Sequence, residues 1–142
     1  MDFVAPHSSK IERIIYTSVA CEALGTHDLF NLLNHARTKN ASVGITGYLI
    51  YANGAFTQCI EGPADSVTLL LKALSTDTRH TGMQILEREI GVQRKYEDWS
   101  MAFSSYRYLN TLKLPGFFPL DEDGNSHFYK FAQASQIRGT SP

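Results

Sequence analysis

The stretch ITGYLIYANGAFTQCIE, residues 45–61, contains two runs rich in β-branched and aromatic residues, 45–51 and 55–61, joined across Ala52-Asn53-Gly54. Asn-Gly supplies the positive φ angles that a tight hairpin turn demands, so the two runs read as paired antiparallel strands. Upstream, IERIIYTS at 11–18 alternates, with Ile14, Tyr16 and Ser18 on one side and Arg13, Ile15 and Thr17 on the other. That is the period of a strand. Between this strand and the hairpin, Thr26 can cap a helix in which Leu29, Leu33, Ala36 and Asn40 recur at helical spacing, with His35, Arg37 and Lys39 left for solvent. After the hairpin, Pro63 suits a first helical turn, where its missing N–H costs little. Val67, Leu70, Leu71 and Leu74 then mark the apolar face of a second helix ending near Asp77. Residues 83–92 and 99–103 read as two further strands, the last with Trp99, Met101 and Phe103 on one face.

This order is βαββαβ followed by one more strand. It describes two interleaved βαβ units, hence an α+β, ferredoxin-like sheet with an additional fifth strand and both helices on one face. In that topology the first and third strands are central neighbours. Tyr16 and Gln58 then lie within reach of one hydrogen bond, provided both face the helices. Flanking this domain, 11–105, the reading places a disordered lead at 1–10 and a C-terminal helical extension and tail at 106–142. A turn at Asp121-Glu122-Asp123-Gly124 there precedes a helix over 126–136 with Phe128, Phe131 and Ala132 on one side. No linker, repeat or low-complexity tract points to an appended effector domain.

A chain of 142 residues fits one domain and buries roughly 70% of its unfolded surface, room for a core and one enclosed ligand. Its formal net charge of −1 argues against nucleic acid or an anionic membrane as partner. Cys21 and Cys59 have no CxxC spacing and read as reduced thiols, which suits a cytoplasmic protein. The first ten residues carry neither a basic nor an apolar segment of a signal peptide, and nowhere do eighteen apolar residues run together. His7, His27, His35, His80 and His127 lack metal-ligand spacing, so no metal is expected.

Tyr16, Asn40 and Gln58 are polar residues on an otherwise apolar inner face, a costly placement without partners. One reading is a buried network that merely links helix to sheet. The other is a binding site.

Taken in order, IIYTS, ARTKN, GITGYLIY, GAFTQCIEGP, DTRH and WSM resemble the BLUF family, sensors of blue light using FAD, over about residues 11–105. The resemblance implies a noncovalently bound FAD lying between the two helices against the sheet. It makes Tyr16 the photoactive tyrosine and Gln58 the switching glutamine beside the flavin. Asn40 matches the asparagine at the pyrimidine end of the ring, Phe56 a wall of the pocket, and Asp77, Arg79 and His80 the segment that borders the cofactor. Trp99 and Met101 match the pair that relays the signal through the last strand to the C-terminal helices. Ala36 stands where several relatives carry serine, and Lys39 replaces more usual residue types, which points to altered tuning.

The residue types suit that chemistry. A phenol is oxidisable and carries a proton, so a photoexcited flavin can draw both an electron and a proton from Tyr16, while the cofactor supplies the light absorption. A carboxamide has one acceptor end and one donor end, so turning or tautomerising Gln58 reverses what it offers its neighbours. A glutamate there could not switch in this way. Without an output domain, such a photoreceptor acts through a protein partner or its own homo-oligomer. Two other readings remain: an acylphosphatase-like hydrolase on the same scaffold, which needs an arginine in an anion cradle after the first strand, and a ligand-free interaction domain.

Overall fold

In the computed structural model, the residues described are 10–97, 100–106, 109 and 115–120. The expected lead up to residue 9, Trp99 and the helix over 126–136 lie outside them. The chain runs β1 (Ile11–Ala20), α1 (Thr26–Ser42), β2 (Thr46–Ala52), β3 (Ala55–Pro63), α2 (Ala64–Ser75), β4 (His80–Ile90), β5 (Ala102–Ser105) and β6 (Phe117–Pro119). These strands form one mixed sheet in the order β4-β1-β3-β2-β5-β6. β1 through β4 pair antiparallel, and β5 and β6 add in parallel at the β2 side.

The β2–β3 turn is the two-residue hairpin that Asn-Gly requires, with Asn53 at φ 54° and Gly54 at φ 74° between the paired Ala52 and Ala55. It fixes the register of β3, and β1 then pairs with Ile14 opposite Ile60, Tyr16 opposite Gln58 and Ser18 opposite Phe56. Leu49 faces Gln58 across β2–β3 and Phe103 across β2–β5, so one face of the sheet gathers Ile14, Leu49, Phe56, Ile60 and Phe103. Leu29 and Leu33 of α1 and Val67 of α2 join that same buried cluster. Both helices therefore cover a single face.

Four details differ from the sequence reading. Gly25, not Thr26, is the N-cap of α1, because the Asp28 carboxylate accepts the Gly25 N–H at 3.0 Å and closes the first turn. Pro63 ends β3 in an extended conformation instead of entering α2, which stops at Ser75. β4 begins three residues earlier than 83 and ends earlier than 92, with register irregularities against β1 that periodicity does not register. Finally, β5 starts at Ala102, and a sixth strand, Phe117–Pro119, forms an edge where a proline is tolerated.

The helix-free face is also built. Arg13, Tyr48, Cys59 and Glu61 lie on it, and residues after β4 fold over them, with Tyr96 packing edge-on against Tyr48 at 4.9 Å. Gly47 adopts φ 153° within β2, and a Cβ there would sit 1.9 Å from the Cys59 carbonyl oxygen. Gly47→Ala is therefore expected to cost about 3 kcal/mol or more, read as a lowered midpoint in chemical denaturation.

Candidate functional site

Because Tyr16 and Gln58 are direct cross-strand partners on the helix-covered face, their side chains meet within the regular β1–β3 pairing. The Tyr16 hydroxyl donates to Gln58 Oε1, and both residues are buried. With its oxygen engaged, the carboxamide turns its nitrogen the other way. Gln58 Nε2 then lies 3.5 Å from Met101 Sδ, a weak acceptor. Burial, followed by the nearby Asp77 charge, pushes the Tyr16 phenol well above its ordinary range, so it holds its proton at neutral pH.

Helix α1 supplies the second wall. Asn40 is buried, and its Nδ2 donates to the Ser100 carbonyl at 3.1 Å. One turn earlier, Arg37 donates from Nε to the Met101 carbonyl at 2.8 Å and from Nη2 to the Pro115 carbonyl at 2.7 Å. Arg37 is thus a partly buried clamp and not the solvent-facing residue that helical spacing suggests. Burial lowers its pKa from the ordinary value.

The third wall is the connection from α2 into β4. Asp77 caps the Arg79 N–H at 3.0 Å and grips its guanidinium at 2.6 to 3.2 Å. Those bonds to Arg79 hold the Asp77 carboxyl down at about 2, so the pair stands charged at the rim. His80 Nε2 lies 2.7 Å from the Leu74 carbonyl, which can only accept, so this nitrogen donates. Its ring stacks obliquely near Tyr16 at 6.3 Å and edge-on to Phe56 at 6.5 Å.

These walls enclose a cavity of about 260 Å³ between α1 and α2. Leu32, Ala36, Leu49, Phe56, Leu70 and Leu74 give it apolar sides, with Tyr16, Asn40, Gln58 and Met101 also lining it. Asp77, Arg79 and His80 lie on the same lining, together with Lys39 and His35. An apolar slot with a few convergent carboxamides suits a flat heteroaromatic ring edged with donors and acceptors, as a flavin is. Every described residue of the expected site is therefore brought together. Trp99 lies outside the described residues.

Two contributors were missed from sequence. Helical spacing leaves Arg37 for solvent, and Glu61 reads first as the end of the 55–61 strand run. Each bonds main-chain groups remote in sequence, a contact that no motif encodes. The hydrolase alternative finds no support, since the turn after β1, residues 21–25, has no arginine.

A family model described as sensors of blue-light using FAD matches residues 11–102. The photoactivated adenylate cyclase subunit beta of Euglena longa is 31% identical over 108 residues, covering 75% of this chain and 13% of that protein. The chain thus spans only a small part of the curated relatives it matches. Among solved structures, the BLUF protein BlrB in its dark state aligns with a TM-score of 0.66 and 30% identity, covering 75% of this chain and 80% of that one. Klebsiella pneumoniae BlrP1 with FMN and cyclic diGMP aligns at 0.64 and 25%, over 93% of this chain and 31% of that one. With most of its length under one family model and its Tyr16–Gln58 pair set at the base of a cavity of matching chemistry, this chain belongs to the BLUF family of blue-light flavin sensors.

Proposed function

We propose that this chain is a blue-light photoreceptor that binds FAD noncovalently and signals through rearrangement of Gln58. The observation that carries the proposal is the hydrogen bond from Tyr16 to Gln58 Oε1 at the base of the cavity. A bound flavin supplies the absorption of blue light and the redox chemistry that follows it. The protein's part lies in its own side chains. Tyr16 keeps its proton in the dark, hydrogen-bonded to Gln58 Oε1, and is the residue that would give up an electron and that proton when a bound flavin is excited. Once the carboxamide has turned, Gln58 offers its nitrogen where its oxygen had been, and the bond to Met101 Sδ is lost.

Asn40 keeps its Oδ1 for the ligand while Nδ2 anchors Ser100. Phe56 and His80 pack the ring, and Arg79, held by Asp77, closes the rim. The dinucleotide is favoured over the mononucleotide on the family description, and the finer choice rests on extraction of the cofactor. Trp99 and Met101 carry the change out of the pocket. The receiver is a protein partner or a second copy of the chain, and the chain itself turns over no substrate. Light can bias that receiver only by the free-energy difference between the two states, about 1.4 kcal/mol for each factor of ten. Among the described residues no helix is long and apolar enough to cross a membrane, and action in the cytoplasm is part of the proposal.

Purified protein should be yellow, release FAD on denaturation, and show a small reversible red shift after blue light. Colourless protein that takes up neither FAD nor FMN sinks the reading. Tyr16→Phe and Gln58→Leu should still bind flavin but retain less than about a tenth of the light-induced shift, and a full shift in Gln58→Leu removes Gln58 from its role. Asn40→Ala should weaken flavin binding by roughly tenfold, the loss of one buried hydrogen bond, as read by fluorescence titration.

A further inference from the structure

Glu61 stands on the same strand as Gln58 but on the helix-free face of the sheet, and it is completely buried. A buried carboxylate is unfavourable unless its lone pairs are filled, and an apolar residue would serve a strand end as well or better. Here four donors fill them: Arg13 Nε at 3.4 Å, Thr46 Oγ1 at 3.0 Å, and the main-chain N–H groups of Lys95 at 3.0 Å and Tyr96 at 2.7 Å. The last two belong to the segment that leaves β4 and ends on Met101. Arg13 also donates to the Gln93 carbonyl at 2.5 Å, and Arg94 to the Gly44 carbonyl at 2.7 Å, so the start of this segment is fastened over the sheet.

Its far end is fastened on the other face. Asn40 holds the Ser100 carbonyl and Arg37 the Met101 carbonyl, while Met101 Sδ meets Gln58 Nε2. Strand β3 therefore grips one segment twice, through Glu61 at its start and through Gln58 at its end. Trp99, the single tryptophan of the chain, falls in sequence between the two grips.

We infer that Glu61 is a positioning residue for the light response. By holding the N–H groups of Lys95 and Tyr96, it sets where Met101 Sδ, a few residues further on, sits relative to Gln58. This rests on the photoreceptor reading above. Glutamine at position 61 replaces one accepting oxygen by an NH₂ group facing donors, so the cage cannot close around it. The dark orientation of Gln58 then loses its aligned sulfur acceptor, and return to that orientation slows.

The test uses the full chain loaded with FAD. Two quantities are followed after a blue-light pulse: the rate at which the absorption shift decays, and the quenching of Trp99 emission by acrylamide. Glu61→Gln is expected to keep flavin and the full red shift, to recover roughly two- to fivefold more slowly, and to change the quenching of Trp99. Thr46→Val, which removes one donor but leaves the carboxylate, should move both quantities in the same sense by less. A loaded Glu61→Gln variant with unchanged recovery and quenching overturns the inference, as does a lowered melting temperature with unchanged recovery. If that variant cannot take up flavin, Thr46→Val decides, and unchanged recovery in it overturns the inference. An unsubstituted chain without any red shift removes the photoreceptor reading itself, and this inference with it.

Discussion

The antiparallel register of β1 against β3 is the constraint on which the pocket rests. It places Tyr16 directly opposite Gln58, and a slip of one residue would send either side chain to the opposite face. The hairpin turn at Asn53-Gly54 locks β3 to β2, and the apolar match of Ile14 with Ile60 locks β1 to β3. A buried phenol and a buried amide each carry a desolvation cost that only a partner offsets. Their mutual hydrogen bond meets that cost and assembles the chemistry in one step. Fold and site are specified here by the same pairing.

The two sheet faces do different work with similar means. On the covered face, carboxamides and a phenol converge on the cavity, and α1 adds Arg37 and Asn40 as holds on the main chain at Ser100, Met101 and Pro115. On the other face, charge does the holding, through Arg13, Arg94 and Glu61. Most of these bonds end on backbone atoms of residues 93–96 and 100–101, described residues that lie in no strand or helix. The side chains take over that role, and they hold each of these two stretches as a neighbouring strand would.

Much of this was legible in the residues. Period-two alternation at 11–18 put Ile14, Tyr16 and Ser18 on one face, and Asn-Gly fixed the hairpin, because both signals are local and steric. The mutual approach of Tyr16 and Gln58 followed from topology alone. What escaped notice depends on distant main-chain atoms, which leave no mark on the pattern of side chains. Arg37 reads as a surface cation because its acceptors are carbonyls over sixty residues away in sequence. Glu61 reads as a strand end because two of its four donors are backbone amides. β6 is three residues long and contains a proline, which falls below any periodic signal. The frame of β4 shifted because irregularities against β1 break the alternation that would reveal it.

Strand β1 is flanked on both sides by strands that come much later in the chain, β3 at Ala55–Pro63 and β4 at His80–Ile90. Pairings so distant in sequence form slowly, since a long loop must close before any contact rewards it. During synthesis, Tyr16 therefore waits unpaired until β3 has emerged, and the cavity lacks its Met101 wall until the segment after β4 follows. The pocket exists only in the folded chain, and a ligand selective for the native chain draws the folding equilibrium toward it, by about 2.7 kcal/mol when present at a hundred times its dissociation constant. The late closure of β1 between β3 and β4 thus makes the supply of a pocket ligand a term in the folding equilibrium itself.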